Sequence, residues 1–207
     1  MPPKVKFQKE EIVRAALNVA REKGIDAVTA REVASFLQVS PRPIFTYYAT
    51  MDELRRDVYD LAKEEYRNYI EQGLAEKIPF LGVGHQYIRF AKEEPELYRL
   101  LFLSKPDGAA GGAMDAMAYT RDLVLDSVMR IYNMDQQDAE VYFRDLWLIS
   151  FSFATLIVTG DSIYKDDEMS AIFSEVSLSI CKAIKEIPGF AGGKYDKDLI
   201  FGGLVKK

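Results

Sequence analysis

Helix N-termini are unusually dense between residues 29 and 54, TAREVASFLQVSPRPIFTYYATMDEL. Thr29 with Glu32, and Thr50 with Glu53, have the Ser/Thr-x-x-Glu spacing of a capping box, in which each member satisfies a backbone N–H of the first helical turn. Two helices that begin only about 20 residues apart leave little room for a long loop between them. The segment is therefore expected to fold into short, closely connected helices.

A third helix start is predicted between these two. Ser40 is a favourable N-cap residue and Pro41 suits the first helical position, so a helix is expected over 40–47. Val39 and Ile44 have the spacing of a hydrophobic staple at this start. Two short helices joined so tightly form a helix-turn-helix, whose second helix can lie in the major groove of DNA.

Nearly all of the remaining sequence has apolar residues at helical spacing. The predicted helices are 9–23, 29–37, 40–47, 50 to about 76, one ending near Glu93, 96–103, 114–132, 135–160 and 166–186. Asp135 is the expected N-cap of the helix 135–160. The segment 104–113 is the one clear internal loop, and the tail after Pro188 is expected to be loosely held. The predicted fold is all-α, with an N-terminal helix-turn-helix domain of three helices over residues 1–50, a long connecting helix, and a larger helical domain over residues 77–207.

The composition argues against several kinds of site and location. Cys181 is the single cysteine and His85 the single histidine, so neither a disulfide framework nor a cysteine–histidine metal site is expected. No nucleophile–base pair or phosphate-binding glycine motif stands out, so no catalytic residue, cofactor or metal is predicted. The amino terminus lacks the apolar core of a secretory signal, and the apolar stretch 146–160 is shorter than the roughly 20 residues that span a bilayer. A cytoplasmic protein that does not cross a membrane is expected.

Charge is distributed unevenly along the chain. Residues 1–56 carry ten Lys and Arg against seven Asp and Glu, a net +3, whereas the rest carries 17 against 25, a net −8. A basic head on an acidic body is typical of a protein that binds DNA at one end. Because dividing any chain at a chosen point produces some asymmetry, this observation supports the motif and does not stand alone.

The candidate DNA contacts lie on one face of the predicted recognition helix, with Ile44 and Phe45 facing the interior. They are Ser40, Pro41, Arg42, Pro43, Thr46 and Tyr47. Arg42 can hold guanine through two hydrogen bonds, and a base and a phosphate are equally good partners for it. Thr46 can reach a base edge or a thymine methyl group, whereas Tyr47 suits phosphate.

Further phosphate contacts are expected at the starts of the neighbouring helices. The backbone amides of the helices capped by Thr29 and Thr50 favour anions. Arg31 is a further phosphate candidate, with simple solvent exposure as the alternative. Lys4 and Lys6 form a candidate basic arm before the first helix, although such lysines commonly serve only solubility.

Residues 1 to about 60 resemble the DNA-binding domain of the TetR family of bacterial transcriptional regulators. The resemblance is carried, in order, by Ala16, Ala20, Gly24, Thr29, Val33, Ala34, Val39-Ser40, Ile44-Phe45, Tyr47-Tyr48 and Asp52-Glu53-Leu54. Met51 stands where the family usually has a lysine that contacts phosphate, which predicts one weaker anchor to the DNA backbone. Arg42 lies between two prolines where the family often has a small residue, which suggests an unusual base preference.

The resemblance implies a C-terminal domain that dimerises and binds a small effector. The segment 87–102 is similar to a pattern in one subgroup of these domains, in which a tryptophan is followed four residues later by His-Gly. Here Trp147 is followed by Phe151 and Ser152, so membership of that subgroup stays open.

Large apolar side chains on helices that should converge form the candidate effector pocket. They are Tyr98, Phe102, Met114, Met117, Phe143, Trp147 and Phe151. Such clusters are more often core than pocket, so a packed core is the alternative, but the same lining suits a small hydrophobic effector. The loop 104–113 either gates such a pocket or only links two helices.

One short recognition helix reads too few base pairs to be selective, which favours a homodimer on a palindromic, double-stranded DNA operator. The interface is predicted in helices 135–160 and 166–186, which would form a four-helix bundle with their symmetry mates. The predicted function is a ligand-responsive regulator, a repressor released from its operator by the effector. Two alternatives are an activator or global DNA-binding regulator without a small-molecule ligand, and a helical scaffold protein that has lost DNA binding.

Overall fold

The computed structural model describes residues 8–105 and 111–205. Within these ranges the chain forms helices and no strand, which confirms the predicted all-α class. The helices are α1 (Lys9–Lys23), α2 (Ala30–Phe36), α3 (Ile44–Tyr47), α4 (Met51–Leu74), α5 (Pro79–Glu93), α6 (Pro95–Tyr98), α7 (Gly112–Tyr132), α8 (Gln136–Thr159), α9 (Asp166–Glu186) and α10 (Lys197–Leu204). A 3-10 turn covers Ile25–Ala27, and α6 continues into a π-helical turn over Arg99–Leu103. The predicted arm at Lys4 and Lys6, and the centre of the loop 104–113, lie outside the described residues.

Local capping determines where the longest helices begin. At the start of α4, the Glu53 N–H donates to Thr50 Oγ1 at 3.3 Å, and the Glu53 carboxylate accepts the Ala49 N–H at 2.8 Å. At the start of α8, Asp135 accepts the Asp138 N–H at 2.8 Å. Both caps were expected from the sequence, since each satisfies a donor that has no acceptor within its helix.

The capping box predicted at the start of α2 forms only in part. Thr29 Oγ1 accepts the Glu32 N–H at 3.3 Å, as expected. The Glu32 carboxylate does not return to the Thr29 backbone but pairs with Lys23 Nζ at 2.6 Å. The lysine at the end of α1 offers a charge-assisted hydrogen bond, which is stronger than one from a neutral backbone N–H.

The helix predicted over 40–47 is wrong at its start. A turn precedes α3, which begins only at Ile44 with Pro43 as its N-cap, so the helix is one turn long and Ser40 does not cap it. The prolines at 41 and 43 explain the difference, because each disfavours the helical conformation of the residue before it and neither has an N–H to donate. The turn is closed by the Ile44 N–H, which donates to the Pro41 carbonyl at 3.1 Å.

One continuous hydrophobic core runs through both domains, and the first half of α4 contributes to its N-terminal part. Completely buried side chains in it include Ile12, Ala16, Val28, Val33, Ile44 and Leu54. Further along α4, Tyr66 and Ile70 are just as deeply buried in the core of the C-terminal domain. Because α4 is buried along this shared core in both domains, it connects them rigidly.

Aromatic rings fill the centre of the C-terminal domain. Tyr66 of α4 makes edge contacts with Tyr87 and Phe90 of α5, at ring-centroid distances of 5.9 and 5.3 Å. Tyr98 and Phe102 stack at 4.7 Å, and both contact Tyr87. Such edge-to-face and offset contacts are the preferred geometries of aromatic pairs. The cluster joins α4, α5 and α6 into one packed unit.

The corner between α4 and α5 depends on two glycines. A Cβ at Gly73 would lie 2.6 Å from the carbonyl carbon of Gly82, and a Cβ at Gly82 would lie 2.4 Å from the Gly73 oxygen. Because no side chain fits in either place, the two backbones approach as closely as glycine allows.

The apolar helix α8 and the C-terminal helix α10 each need a separate comment. Among the described helices, α8 is the one long and apolar enough to cross a membrane by length and composition, but 44% of its apolar window is buried inside the domain. It packs against α5, α7 and α9, as the central helix of a helical domain does. The tail predicted to be loosely held forms α10, capped by Asp196, although none of the residues of α10 is buried.

Candidate DNA interface and effector cavity

The recognition helix α3 is fixed from behind by a hydrogen-bonded cluster. Ile44 and Tyr48 face inward, and the Tyr48 hydroxyl donates to Asp57 of α4 at 2.7 Å. Lys9 of α1 forms an ion pair with the same carboxylate at 2.7 Å, and its ammonium lies 5.1 Å from the centroid of the Tyr48 ring. A single carboxylate therefore ties α1, the end of α3 and α4 together.

The protonation states of Asp57 and Tyr48 favour the hydrogen bond between them. Desolvation by itself raises the pKa of the Asp57 carboxyl, but hydrogen bonds from Lys9 and Tyr48 outweigh it, and the pKa lies below its usual range. Burial, followed by the bond to Asp57, raises the pKa of the Tyr48 hydroxyl well above its usual value. At neutral pH the carboxylate is thus charged and the phenol protonated, as a donor–acceptor pair requires.

The outward face of α3 differs from the prediction at one residue. Phe45, expected to anchor the helix, is 54% exposed, while Tyr48 fills the inward position four residues after Ile44. The late start of α3 explains this, since Ile44 and Tyr48 then form the buried i, i+4 pair. Phe45 therefore joins Thr46 and the 38% exposed Tyr47 on the outer face.

The turn before α3 adds to this surface. Ser40, Pro41 and Arg42 are exposed, and Pro43 is half-buried. The backbone carbonyl of Arg42 accepts the Thr46 hydroxyl at 3.4 Å, which orients the Thr46 methyl group away from that bond. Among the described residues, no carboxylate forms an ion pair with the Arg42 guanidinium, unlike those of several other arginines.

The predicted phosphate contacts are also accessible. Thr29, Arg31 and Thr50 are all exposed, at or next to the first turns of α2 and α4. The first backbone N–H groups of both helices have no acceptor within their own helix. Met51, which stands in place of the lysine of the family pattern, is half-buried and packs against the hydrophobic core.

A small cavity lies inside the C-terminal domain, among α5, α7, α8 and α9. Its volume is about 20 Å³, enough for about one water molecule. It is lined by Phe80, Val83, Gly84, Tyr87, Thr120, Phe143, Leu146, Trp147, Ser150 and Phe173, so none of the described lining residues carries a charge. A Cβ at Gly84 would lie 2.7 Å from Phe173 Cζ, which means that only glycine lets this ring reach the cavity wall.

Two polar atoms of the cavity lining are buried without an acceptor or donor of good geometry in the described structure. They are the indole Nε1 of Trp147 and the hydroxyl of Tyr87. The Tyr87 hydroxyl is close to that of Tyr98, but the latter lies 3.3 Å from the Phe151 carbonyl and 3.2 Å from Thr155 Oγ1. Burial raises the pKa of Tyr87 well above its usual value, so its hydroxyl is protonated.

The predicted pocket residues divide among three locations. Phe143 and Trp147 line the cavity, and Phe151 stacks on Trp147 at 5.2 Å. Tyr98 and Phe102 are buried in the core beside the cavity and do not line it. Met114, 72% exposed, and the half-buried Met117 line a surface groove together with Phe143 and do not reach the cavity.

Sequence reasoning missed several residues of the cavity lining. These are the contributions of α5 and α9, namely Phe80, Val83, Gly84, Tyr87 and Phe173. The one available signal was the pair of glycines in the otherwise apolar start of α5, since glycine within a helix often marks a close approach.

A surface groove of about 400 Å³ adjoins the cavity. It is lined by Met114, Met117, Ala118, Arg121, Gln137, Glu140, Val141, Phe143, Arg144 and Ala191. Among the described residues, Phe143 is the one that lines both the cavity and the groove.

Helix α6 connects this region with the DNA-binding domain. Its N-cap, Glu94, accepts a hydrogen bond from Arg21 Nε of α1 at 2.7 Å. At the other end of α6, Tyr98 packs against Tyr87 of the cavity lining. A chain of contacts therefore runs from Tyr87 through α6 to α1.

The outer faces of α8 and α9 expose apolar side chains. Leu148 is 48% exposed and Leu178 69% exposed. Small residues, Ser152 on α8 and Ala171 and Ser174 on α9, are exposed on the same two helices. Leucines separated by small residues are suited to close packing against another helix pair.

Comparisons with known proteins agree with this architecture. Residues 12–58 match the family described as "Bacterial regulatory proteins, tetR family", and residues 80–176 match "Tetracyclin repressor-like, C-terminal domain". The two matches together span well over half of the chain. No curated protein matches it.

Two solved structures share the fold at low sequence identity. A TetR variant from Acinetobacter baumannii AYE in complex with minocycline is 15% identical, with a TM-score of 0.56 over 87% of this chain and 97% of that one. A TetR-like transcriptional regulator from Rhodococcus sp. RHA1 is 13% identical, with a TM-score of 0.61 over 90% of this chain and 99% of that one. With both domains matched in order, the chain belongs to the TetR family of bacterial transcriptional regulators, which bind DNA through a helix-turn-helix and are not enzymes.

Proposed function

We propose that this chain is a homodimeric, ligand-responsive repressor that binds a palindromic operator and leaves it when a small hydrophobic effector occupies the C-terminal domain. The observation that carries the proposal is the outward surface of Arg42, Phe45, Thr46 and Tyr47, held rigidly by the cluster around Asp57. An exposed arginine with neighbouring aromatic and hydroxyl groups can read base edges and anchor phosphates.

Each exposed residue has a proposed role on DNA. Arg42 binds guanine or phosphate, Phe45 and Thr46 contact thymine methyl groups, and Tyr47 binds phosphate. The amides at the starts of α2 and α4, capped by Thr29 and Thr50, bind the DNA backbone, and Arg31 adds a cation beside them. Ser40, Pro41 and Pro43 shape the turn that brings Arg42 to the groove.

The dimer is proposed to form through α8 and α9. The exposed Leu148 and Leu178 support this arrangement, because a two-fold axis beside these helices would bury them in a four-helix bundle. Leu178→Glu should convert the dimer to a monomer in analytical ultracentrifugation. Leu199→Glu, on the equally exposed α10, is the matched control and should leave the dimer intact. A dimeric Leu178→Glu protein would place the interface elsewhere.

Effector binding is proposed to act through α6 and α4. Enlarging the cavity displaces Tyr87, which moves Tyr98 on α6 and thereby Glu94, the partner of Arg21. To change operator occupancy from 99% to 1%, the effector must bind the released conformation about 10⁴-fold more tightly than the DNA-bound one. The Acinetobacter relative in complex with minocycline supports a small-molecule effector. A regulator of this kind works in the cytoplasm, where the DNA is.

The first experiment is selection of bound duplexes from a randomised DNA pool at about 150 mM salt, where non-specific binding is suppressed. Enrichment of a palindrome supports the dimeric regulator. An enriched site combined with no compound that shifts the melting temperature would favour an activator or global regulator without a ligand. No enrichment, with binding that is weak and independent of salt, would favour a helical scaffold that has lost DNA binding.

A further inference from the structure

The Trp147 indole marks a place for a hydrogen-bond acceptor in the cavity. An indole N–H can only donate, and buried donors in folded proteins nearly always have a partner. Here Nε1 is buried without one in the described structure, and the indole that carries it lines a cavity with room for about one water molecule. A ligand that replaces this water must supply an acceptor or leave the donor unpaired, at a loss in affinity.

The lining also sets the charge of the ligand. None of the described lining residues is ionisable near neutral pH, since Tyr87 is held protonated by its burial. The arginines closest in sequence to the cavity lining, Arg121 and Arg144, line the outer groove, where each is paired with the aspartate next to it in sequence. An anionic group inserted into the cavity itself, away from the arginines of the groove, would therefore lose its hydration without gaining a counter-ion, which is strongly unfavourable.

The aromatic rings around the cavity determine which shape of ligand fits and how a ligand can enter. Phe80, Tyr87, Phe143, Trp147 and Phe173 present aromatic surfaces that suit a planar molecule. The cavity alone is too small for any organic effector, so a side chain must move. Phe143 lines both this cavity and a groove of about 400 Å³, so a rotation of its ring could join the two spaces into a volume in the usual range of ligand sites.

We infer that the effector is a neutral, planar molecule that enters from the groove past Phe143 and accepts a hydrogen bond from Trp147 Nε1. This inference rests on the proposed function, whose effector it describes by chemical class. It predicts that affinity depends on an acceptor and on the absence of negative charge, and that Phe143 controls access.

The test uses three compounds with the same rings: acetylnaphthalene, which is neutral with a carbonyl acceptor, ethylnaphthalene, which lacks the acceptor, and naphthoate, which is anionic. Trp147 is the only tryptophan of the chain, so its fluorescence reports directly on the cavity. The ketone should bind about three- to tenfold more tightly than the hydrocarbon, the usual range for one hydrogen bond. Naphthoate should bind more than about a hundredfold more weakly than the ketone.

Two variants separate the hydrogen bond from the fold. In Trp147→Phe, followed by thermal shift, the ketone should lose its advantage over the hydrocarbon while both still bind. Tyr98→Phe is the matched control, because it removes a buried hydroxyl that does not line the cavity, and the advantage should persist. Phe143→Ala should accelerate association of the ketone at least about tenfold, as expected when a gating ring is removed.

Other outcomes would overturn the inference. Naphthoate binding as tightly as the ketone, or equal binding of ketone and hydrocarbon to the wild type, would refute the acceptor and charge requirements. Failure of all three compounds to bind even Phe143→Ala would mean that the cavity is sealed core. Operator affinity is measured separately, so that the two proposals fail independently. A ketone that changes Trp147 fluorescence and leaves operator binding unchanged supports the ligand class and contradicts the ligand-responsive repressor.

Discussion

At the scale of single residues, the DNA-facing surface depends on the orientation of the side chains of α3. Four consecutive residues, Ile44 to Tyr47, cover one turn, and the inward position of Ile44 fixes the orientation of the other three. Because Tyr48 completes the inward pair, Phe45 is available to DNA. Arg42, in the turn before α3, is the cation of this surface.

Replacing Arg42 with alanine should weaken operator binding by about 1–3 kcal/mol. If the guanidinium reads guanine, the loss should be confined to sequences with that guanine; if it binds phosphate, all sequences should weaken equally and the salt dependence should decrease. Fluorescence anisotropy with selected and altered duplexes distinguishes the two. Arg121→Ala, in the C-terminal domain, is the control, and an unchanged affinity of Arg42→Ala would exclude this arginine from the interface.

Acid should weaken the cluster that holds α3. The pKa of Asp57 is lowered in the folded protein, so its stabilising contribution is complete above the unfolded pKa of about 4 and is lost as the pH falls through the lower folded value. Asp57→Asn should therefore be less stable than the wild type in urea at pH 7, with the difference shrinking below about pH 4. Asp60→Asn, at an exposed position of the same helix, should show no such pattern. A difference that grows in acid would contradict the assignment.

The two buried tyrosines beside the cavity should respond differently to loss of their hydroxyl groups. Tyr87→Phe removes a poorly partnered hydroxyl and should leave the free energy of unfolding within about 0.5 kcal/mol of the wild type or raise it. Tyr98→Phe removes contacts to the Phe151 carbonyl and Thr155 and should cost about 1 kcal/mol. Urea denaturation measures both, and a larger loss for Tyr87→Phe would mean that its hydroxyl has a structural partner.

At the scale of helices, the corner between α4 and α5 is the most sensitive point. Gly73→Ala places a methyl group 2.6 Å from the α5 backbone and should cost about 1–3 kcal/mol by overpacking. Gly202→Ala in α10 has nothing within 4 Å, so it should be neutral or gain up to about 1 kcal/mol from helix propensity. Thermal unfolding of both variants tests this, and a Gly73→Ala protein as stable as the wild type would show that the corner can relax.

Helix ends were predictable where the signal is local. Thr50 with Glu53, and Asp135, cap their helices as the sequence predicts, because a cap involves only neighbouring residues. The prediction failed where two local rules compete: Pro41 suits a helix start, but Pro43 disfavours the helical conformation of Arg42. Glu32 shows the other limit, since its partner Lys23 belongs to another helix and cannot be inferred from a capping pattern.

At the scale of the whole molecule, the sequence predicted two domains of distinct charge but not the lining of the cavity. Trp147, Phe143 and Met114 were all predicted as large apolar side chains on converging helices; the first two line the cavity, whereas Met114 lines the outer groove. Gly84 and Phe173 were not predicted, because their contact joins α5 to α9 and the two residues lie almost 90 positions apart in the sequence. Which aromatic residues surround a cavity depends on packing between distant helices, and composition alone does not contain that information.

The most direct test of the central claim compares affinity for a complete selected palindrome with affinity for one isolated half-site, at about 150 mM salt. A dimer with two recognition helices spaced by about 34–36 Å engages both half-sites at once. We expect the palindrome to bind at least about a hundredfold more tightly, since a second linked contact gains from effective concentration. Equal affinity for the palindrome and the half-site would contradict the dimeric repressor.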